Sequence, residues 1–308
     1  MKLVKPSFEI WEQPSGLVGI YKQVEKSAKV CYKSEGNITE DSAKPFIDNV
    51  LLKKHHYSPL EHGTVYLNIH WKENIHEVFE DMFKFYTSNP YSKIVKIMNK
   101  EPDLFISTNY RVLVEHNRLK DLEYLCEPTE HHEKRITVHF VCDRGVSHEF
   151  VRHRIFSFAQ ESQRYCNYSK DKFGNELTFI IPCWCNIPEG NYVLFAEKNK
   201  EDLEFIQVMK NFKIDKKYPV SSTTSGRFLC AMYWSEKYYL DLLEQGWKPQ
   251  QARAVLPNAL KTELVMTGFV EDWKHFFFLR CPVNAHPQAR ELAIPLSDEF
   301  VKRGYING

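Results

Sequence analysis

Two stretches of the chain alternate apolar with polar side chains at a period of two. Thr64–Trp71 sets Val65, Leu67, Ile69 and Trp71 on one side, and Arg135–Cys142 does the same with Ile136, Val138, Phe140 and Cys142. Side chains of a strand point alternately to its two faces, so each stretch predicts a half-buried strand. Leu177–Pro182 predicts a short third one. Elsewhere the apolar residues recur at helical spacing. Helices are predicted from Val18 to about Cys31 and over Asp41–Lys54, where Phe46, Ile47, Val50 and Leu51 share a face. Residues 72–134 read as helical through Val78, Met82, Phe83 and Tyr86, with breaks at Asn89-Pro90 and Glu101-Pro102. Asn191–Phe212 is charged and amphipathic and reads as a surface helix. Phe228–Gln245 reads as a long helix closed by Gly246, with Pro249 beyond it. A short helix around Arg253 stops at Pro257, a segment ending in Arg280 follows, and a last helix begins near Pro287. The N-terminal arm, broken by Pro14-Ser15-Gly16, reads as irregular.

The second strand runs directly into Asp143–Tyr168, the stretch richest in candidate chemistry. Asp143 is placed to cap a helix that carries Arg144, His148 and Arg152 in one row. Val146, Phe150, Val151 and Ile155 form its expected apolar flank, and its last turn favours cations. Beyond Arg154, the polar Ser157, Gln160, Ser162 and Gln163 break the apolar period, which predicts a loop. A loop leaving a fixed helix is a good place for a binding site. Strands 64–71 and 136–142 are the expected floor beneath it.

Composition narrows the classes. The chain has 308 residues, 43% hydrophobic and 26% charged, as in an ordinary soluble globular protein with a sizeable core. No internal repeat, low-complexity tract or linker divides it, so one large domain of mixed helices and strands is expected. A formal net charge of +1 argues against general nucleic-acid adhesion and leaves room for a local basic pocket. No apolar run is long enough for a membrane span, and the N-terminus lacks a signal-peptide pattern, so a cytoplasmic protein is expected. The eight cysteines include no C-x-x-C pair, which leaves reduced thiols as the simple reading. His55, His56 and His62 lack a recognised ligand spacing, so no metal is expected.

Arginine offers a planar fork of donors suited to phosphate or to a carbonyl-edged ring. Arg152, Arg154, Arg164, Arg253 and Arg280 could converge on a phosphorylated ligand. Taken alone, however, an R-H-R triplet is most often an exposed basic face, and Ser162 is as readily a turn residue. No adjacent base marks Ser162 as an activated nucleophile. The residues by themselves stop at a pocket for an anionic, nucleotide-like ligand. A non-catalytic nucleotide- or nucleic-acid-binding protein remains the alternative.

Arg152-His153-Arg154, the spaced Ser162 and the following Arg164-Tyr165 resemble the signature of the flavin-dependent thymidylate synthases. Ser58–His62 resembles that family's upstream motif, and Ala252–Pro257 and Phe278–Arg280 resemble its two downstream arginine motifs. Val30–Glu35 is similar to its N-terminal region. The resemblance implies a central, mostly antiparallel sheet flanked by helices, and a homotetramer whose sites draw on more than one subunit. It implies reductive methylation of dUMP to dTMP, with methylenetetrahydrofolate as carbon donor, reduced FAD as hydride carrier and NADPH as reductant. The absence of G-x-G-x-x-G agrees with flavin held outside a Rossmann fold.

By position, the resemblance places Glu149, Arg152, Gln160, Glu161, Ser162, Arg164, Arg253 and Arg280 on dUMP, with Arg152, Ser162 and Arg280 catalytic. It places His56, Ser58, Glu61, Arg152, His153, Arg154 and His275 on FAD. The family often has an acid two residues before the motif serine, where this chain has Gln160, and that leaves open whether Gln160 or Glu161 meets the substrate. Residues 72–134 look like a helical insertion relative to shorter members. The rival thymidylate synthase chemistry uses a Pro-Cys-His nucleophile, and Pro182-Cys183-Trp184 lacks its histidine.

Overall fold

Hydrogen-bond partners far along the chain settle what the local pattern leaves open. The computed structural model describes residues 1–34, 36–98, 102–164, 166–169, 176–196, 203–208, 214–219 and 223–307. The motif's Tyr165, Glu35 of the N-terminal motif and Glu101 of the second expected break lie outside these residues.

The arm expected to be irregular holds two strands, β1 (Lys2–Val4) and β2 (Ser7–Trp11). Helix α1 (Gly16–Tyr32) ends on Lys33 in the left-handed conformation, at φ 47°. Thr39 then caps α2 (Glu40–Phe46), which runs on as a π-helical turn over Ile47–Leu52. After a 3-10 turn at Ser58–His62 comes β3 (Thr64–His70). The segment expected to be helical with two breaks contains α3 (His76–Ser88), β4 (Lys93–Ile97), β5 (Asp103–Asn109) and α4 (Tyr110–Glu115). Strand β5 escapes a period-two reading because Leu104 to Asn109 are all buried, so neither face is marked polar.

Strand β6 (Arg135–Asp143) leads into α5 (Arg144–Phe150), capped by the Asp143 carboxylate, which accepts from Val146 N at 2.8 Å. The helix is shorter than the pattern suggests. Arg152 and Arg154 lie in turns beyond it, and Ile155 is 58% exposed rather than part of an apolar flank. The expected loop then contains β7 (Ser157–Gln160), followed by β8 (Thr178–Ile180). The surface helix expected over 191–212 is instead, within the described residues, β9 (Gly190–Ala196) and β10 (Leu203–Val208), joined by β11 (Ile214–Pro219). Exposed Asn191, buried Tyr192 and exposed Val193 show the strand's period in β9. Helix α6 (Thr224–Glu244), α7 (Pro249–Ala252) and a 3-10 turn at Arg253–Val255 follow. Strand β12 (Lys261–Phe269), where the pattern marks no element, is buried from Leu264 onward, and α8 (Val270–Arg280) and α9 (Pro287–Lys302) close the chain.

The expected α+β architecture of antiparallel strands flanked by helices is present, with the strands divided among three sheets. Their orders are β11-β10-β9-β1-β8, β2-β6-β12-β7 and β3-β5-β4, and the β1–β8 pair is parallel. The two strands expected to share one floor therefore belong to different sheets. One face of the β2-β6-β12-β7 sheet carries Val138, Phe140, Leu264 and Met266 against Phe150 of α5, Trp273 and Phe276 of α8 and Phe300 of α9. Its other face meets α1 through Trp11, Val30, Ala159 and Val265. Among the described residues no helix is long and apolar enough to cross a membrane.

Arg135 stitches this sheet to the β3 sheet. Its guanidinium donates to Thr64 Oγ1 at 3.2 Å, to the Glu61 carbonyl at 3.1 Å and to Ser157 Oγ at 3.4 Å. Burial pulls it down to about 10. His62 crosses the same junction, with Nδ1 2.8 Å from Thr267 Oγ1.

Glycine at position 268 is required by a close approach. A Cβ there would stand 2.6 Å from Cδ1 and Cε1 of Phe156, a ring packed into the core directly after the arginine turn. Gly268→Ala should therefore cost about 1–3 kcal/mol through overpacking. Urea unfolding checks this, and an unchanged midpoint would mean the Phe156 ring is free to move aside.

Candidate active site

Helix α1, the Ser58–His62 turn and the end of β7 with Ser162 line an open cavity of about 460 Å³. Its wall comprises Cys31, Tyr32, His55, His56, Tyr57, Ser58, Pro59, Arg111, Gln160 and Ser162. None of these is a carboxylate, in a chain with 40 Asp and Glu residues. Hydroxyls, imidazoles, an amide and one guanidinium give a surface that meets an anion with donors and no like charge.

Backbone links hold this wall together. Ser162 N donates to the Cys31 carbonyl at 3.1 Å, joining the motif serine to the end of α1. Tyr32 Oη lies 2.5 Å from His56 Nδ1, which sets the imidazole's orientation. Gln160 Nε2 donates to Ser147 Oγ at 2.8 Å. Arg111 Nη1 pairs with Glu61 at 2.5 Å and Nη2 with Glu115 at 2.9 Å, so Glu61 reaches the cavity only through that arginine. Burial pushes the Cys31 thiol upward, which keeps it protonated and unsuited to nucleophilic attack.

A second concavity of about 260 Å³ is lined by Arg152, His153, Arg154, Ile155, His275, Leu279 and Arg280. Arg280 comes from the end of α8. It donates through Nε to His153 Nε2 at 3.0 Å, and through Nη1 and Nη2 to Glu149 Oε2 at 2.8 Å and the Glu149 carbonyl at 2.7 Å. Buried His153 is held down to about 4, by desolvation first and then by the Arg280 and His275 charges. It is therefore neutral near pH 7, with Nε2 as acceptor and the proton on Nδ1. Arg152, Arg154 and His275 are exposed.

The chain thus brings His56, Ser58, Gln160 and Ser162 together in one cavity, and Glu149, Arg152, His153, Arg154, His275 and Arg280 around another. It does not merge the two groups. Arg164 and Arg253 are exposed and line neither. Glu161 faces away from both, into a third cavity, and pairs there with Lys261 at 2.9 Å. Cys31, Tyr32 and Arg111 are wall residues that motif reading passes over. The first two sit inside the matched Val30–Glu35 stretch, whereas Arg111 lies in the segment whose role the sequence does not disclose. Among the described residues no three His, Cys, Asp or Glu side chains group as a metal centre.

Residues 112–303 match the family model described as thymidylate synthase complementing protein. Curated relatives described as flavin-dependent thymidylate synthase include one from Pyrococcus abyssi (strain GE5 / Orsay), 31% identical over 162 residues, which are 53% of this chain and 52% of that protein. Another, from Geobacter sulfurreducens (strain ATCC 51573 / DSM 12127 / PCA), is 29% identical over 153 residues, 50% of each. The chain spans about half the length of the curated relatives it matches. A crystal structure of a UMP/dUMP methylase PolB from Streptomyces cacaoi bound with 5-Br UMP aligns over 98% of this chain and 92% of that one, at 15% identity and a TM-score of 0.41.

The buried histidines make acid stability a readout of this geometry. His62 is held at about 3 and His153 at about 4, both below the ordinary 6.5. As pH falls below 6.5 the unfolded chain binds these protons first, so stability complete above that value is lost toward the folded pKa values. The slope should approach about 1.4 kcal/mol per pH unit per histidine between pH 6.5 and 4. Urea titrations at stepped pH measure it, with His153→Gln expected to flatten the slope; an unchanged slope in that variant contradicts the assignment.

Proposed function

Since the chain belongs to the thymidylate synthase complementing protein family, we propose that it is a flavin-dependent thymidylate synthase. It converts dUMP to dTMP, with methylenetetrahydrofolate as the carbon donor, reduced FAD as the hydride carrier and NADPH as the reductant. The observation that carries this reading is the meeting of the motif serine with the upstream motif in one wall free of carboxylates, at Gln160, Ser162, His56 and Ser58. Such a wall suits the phosphates of a nucleotide or of a flavin dinucleotide. When bound, FAD supplies the hydride; the protein binds, orients and polarises.

In this reading Ser162, Gln160, Arg164, Arg253, Arg280 and Glu149 hold dUMP. His56, Ser58, His153, Arg154 and His275 face the flavin, and Glu61 acts by holding Arg111. Arg152, exposed beside neutral His153, stabilises negative charge developing on the uracil ring. Cys31, with its thiol protonated, and Cys183, which lines neither concavity, take no covalent part. Division of the residues between two concavities of one chain supports a homotetramer in which neighbouring subunits complete each site.

Purified protein is expected to retain flavin colour after incubation with FAD and desalting, and to oxidise NADPH faster when dUMP is present, with dTMP as product. A colourless protein without dUMP-dependent oxidation refutes the reading. Arg152→Ala should lower turnover by about 10²-fold or more with the fold intact. Cys183→Ala should retain turnover within about threefold, since surface substitutions away from a site rarely matter; its complete loss in a folded variant would overturn the assignment.

A further inference from the structure

The strand that presents Ser162 is a wall between two cavities of similar size. Gln160 and Ser162 face the cavity that holds His56 and Ser58, whereas Glu161 faces a cavity of about 460 Å³ behind it. Glu161 is 2% exposed. Its carboxylate pairs with Lys261 at 2.9 Å and Lys33 at 3.8 Å, and accepts the Tyr168 hydroxyl at 3.0 Å. Glu263 shares both lysines and also pairs with His139 at 3.1 Å. The Glu161 and Glu263 carboxylates hold the Lys261 ammonium above its ordinary value despite burial, so Lys261 stays charged.

Regular strand pairing ends at Gln160, opposite Leu264. Beyond it, Glu161 N donates to the Glu263 carbonyl at 2.9 Å, and Ser162 N passes to the Cys31 carbonyl of α1. Two backbone bonds to different elements fix the alternation of three side chains, and a slip of one residue would exchange their faces. The ion cluster joins the same elements from behind. Lys33 is the cap of α1, Lys261 and Glu263 belong to β12, and Glu161 follows β7.

Resting on the proposed reading of the front cavity, we propose that Glu161 is a positioning residue. Its pairing with Lys261 and Lys33 locks the end of α1 to β12 and so sets Ser162 and Gln160 at the register from which they bind the nucleotide.

The test combines hydrogen exchange at the Glu161 and Ser162 amides with dUMP affinity, in Glu161→Gln and in Lys261→Gln. Each variant keeps a polar side chain of similar length while removing one charge. Loss of one charge of this ion pair should speed exchange at both amides by about tenfold and weaken dUMP binding by a similar factor. Exchange at the β6 and β12 amides should not change, and Lys261→Arg should restore both readouts. A purely structural role would instead lower stability throughout, with nucleotide affinity unaltered in the folded fraction. Unchanged exchange at the two amides in both glutamine variants overturns the proposal whatever the affinity. Exchange accelerated as expected, with no dUMP bound by the unaltered protein, sustains the positioning and overturns the function instead.

Discussion

Strand β12 is the constraint on which the site depends. It pairs in register with β6 along Lys261–Phe269 and, on its other edge, with β7 from Leu264 to Thr267. β6 delivers α5 and the arginine turn, β7 delivers Gln160 and Ser162, and β12 itself runs into α8 and Arg280. Because side chains alternate along each strand, one register decides which of these residues face a cavity and which face the core. Every interior position of β12 is filled, so shifting it would drive Leu264 and Met266 out of the cluster that holds Trp273 and Phe276.

Charge is handled differently on the two sides of that sheet. At the junction with the β3 sheet, Arg135 meets neutral acceptors, and among the described residues no carboxylate forms an ion pair with it. Behind Ser162, opposite charges gather as Glu161, Glu263, Lys33 and Lys261, with the His139 ring in contact with Glu263. In front, the cavity wall has no acid at all. A half-buried ion cluster whose partners come from α1, β7 and β12 costs desolvation, and it specifies how those elements meet. The front wall carries no negative charge of its own, because the nearby carboxylates are engaged elsewhere.

Much of this was legible from the chain alone, for identifiable reasons. Strands β3 and β6 have one polar face and show their period, and α1 and α6 lie where helical spacing places them. β5 and β12 are covered on both sides and lose that period, so nothing local marks them. β1, β2 and β7 are too short for a pattern and exist because partners stand ready. Motif spacing pointed to Ser162, His56 and Arg280, which line the two concavities, but not to the facing of Gln160 against Glu161, which a distant strand decides. Arg111 could not be read at all, because it is defined by its contact with Glu61, 50 residues earlier.

The short turn Ser58–His62 shows how a recognised pattern can carry two kinds of information. Ser58 is exposed at the cavity and Glu61 anchors Arg111, whereas Pro59, Leu60 and His62 are buried and His62 bonds to β12. More than half of that pattern is therefore set by packing. A descendant chain could keep the buried letters for its fold after the exposed ones had changed. Finding the pattern would then report a shared scaffold, and only the identities at 58 and 61 would report a shared ligand.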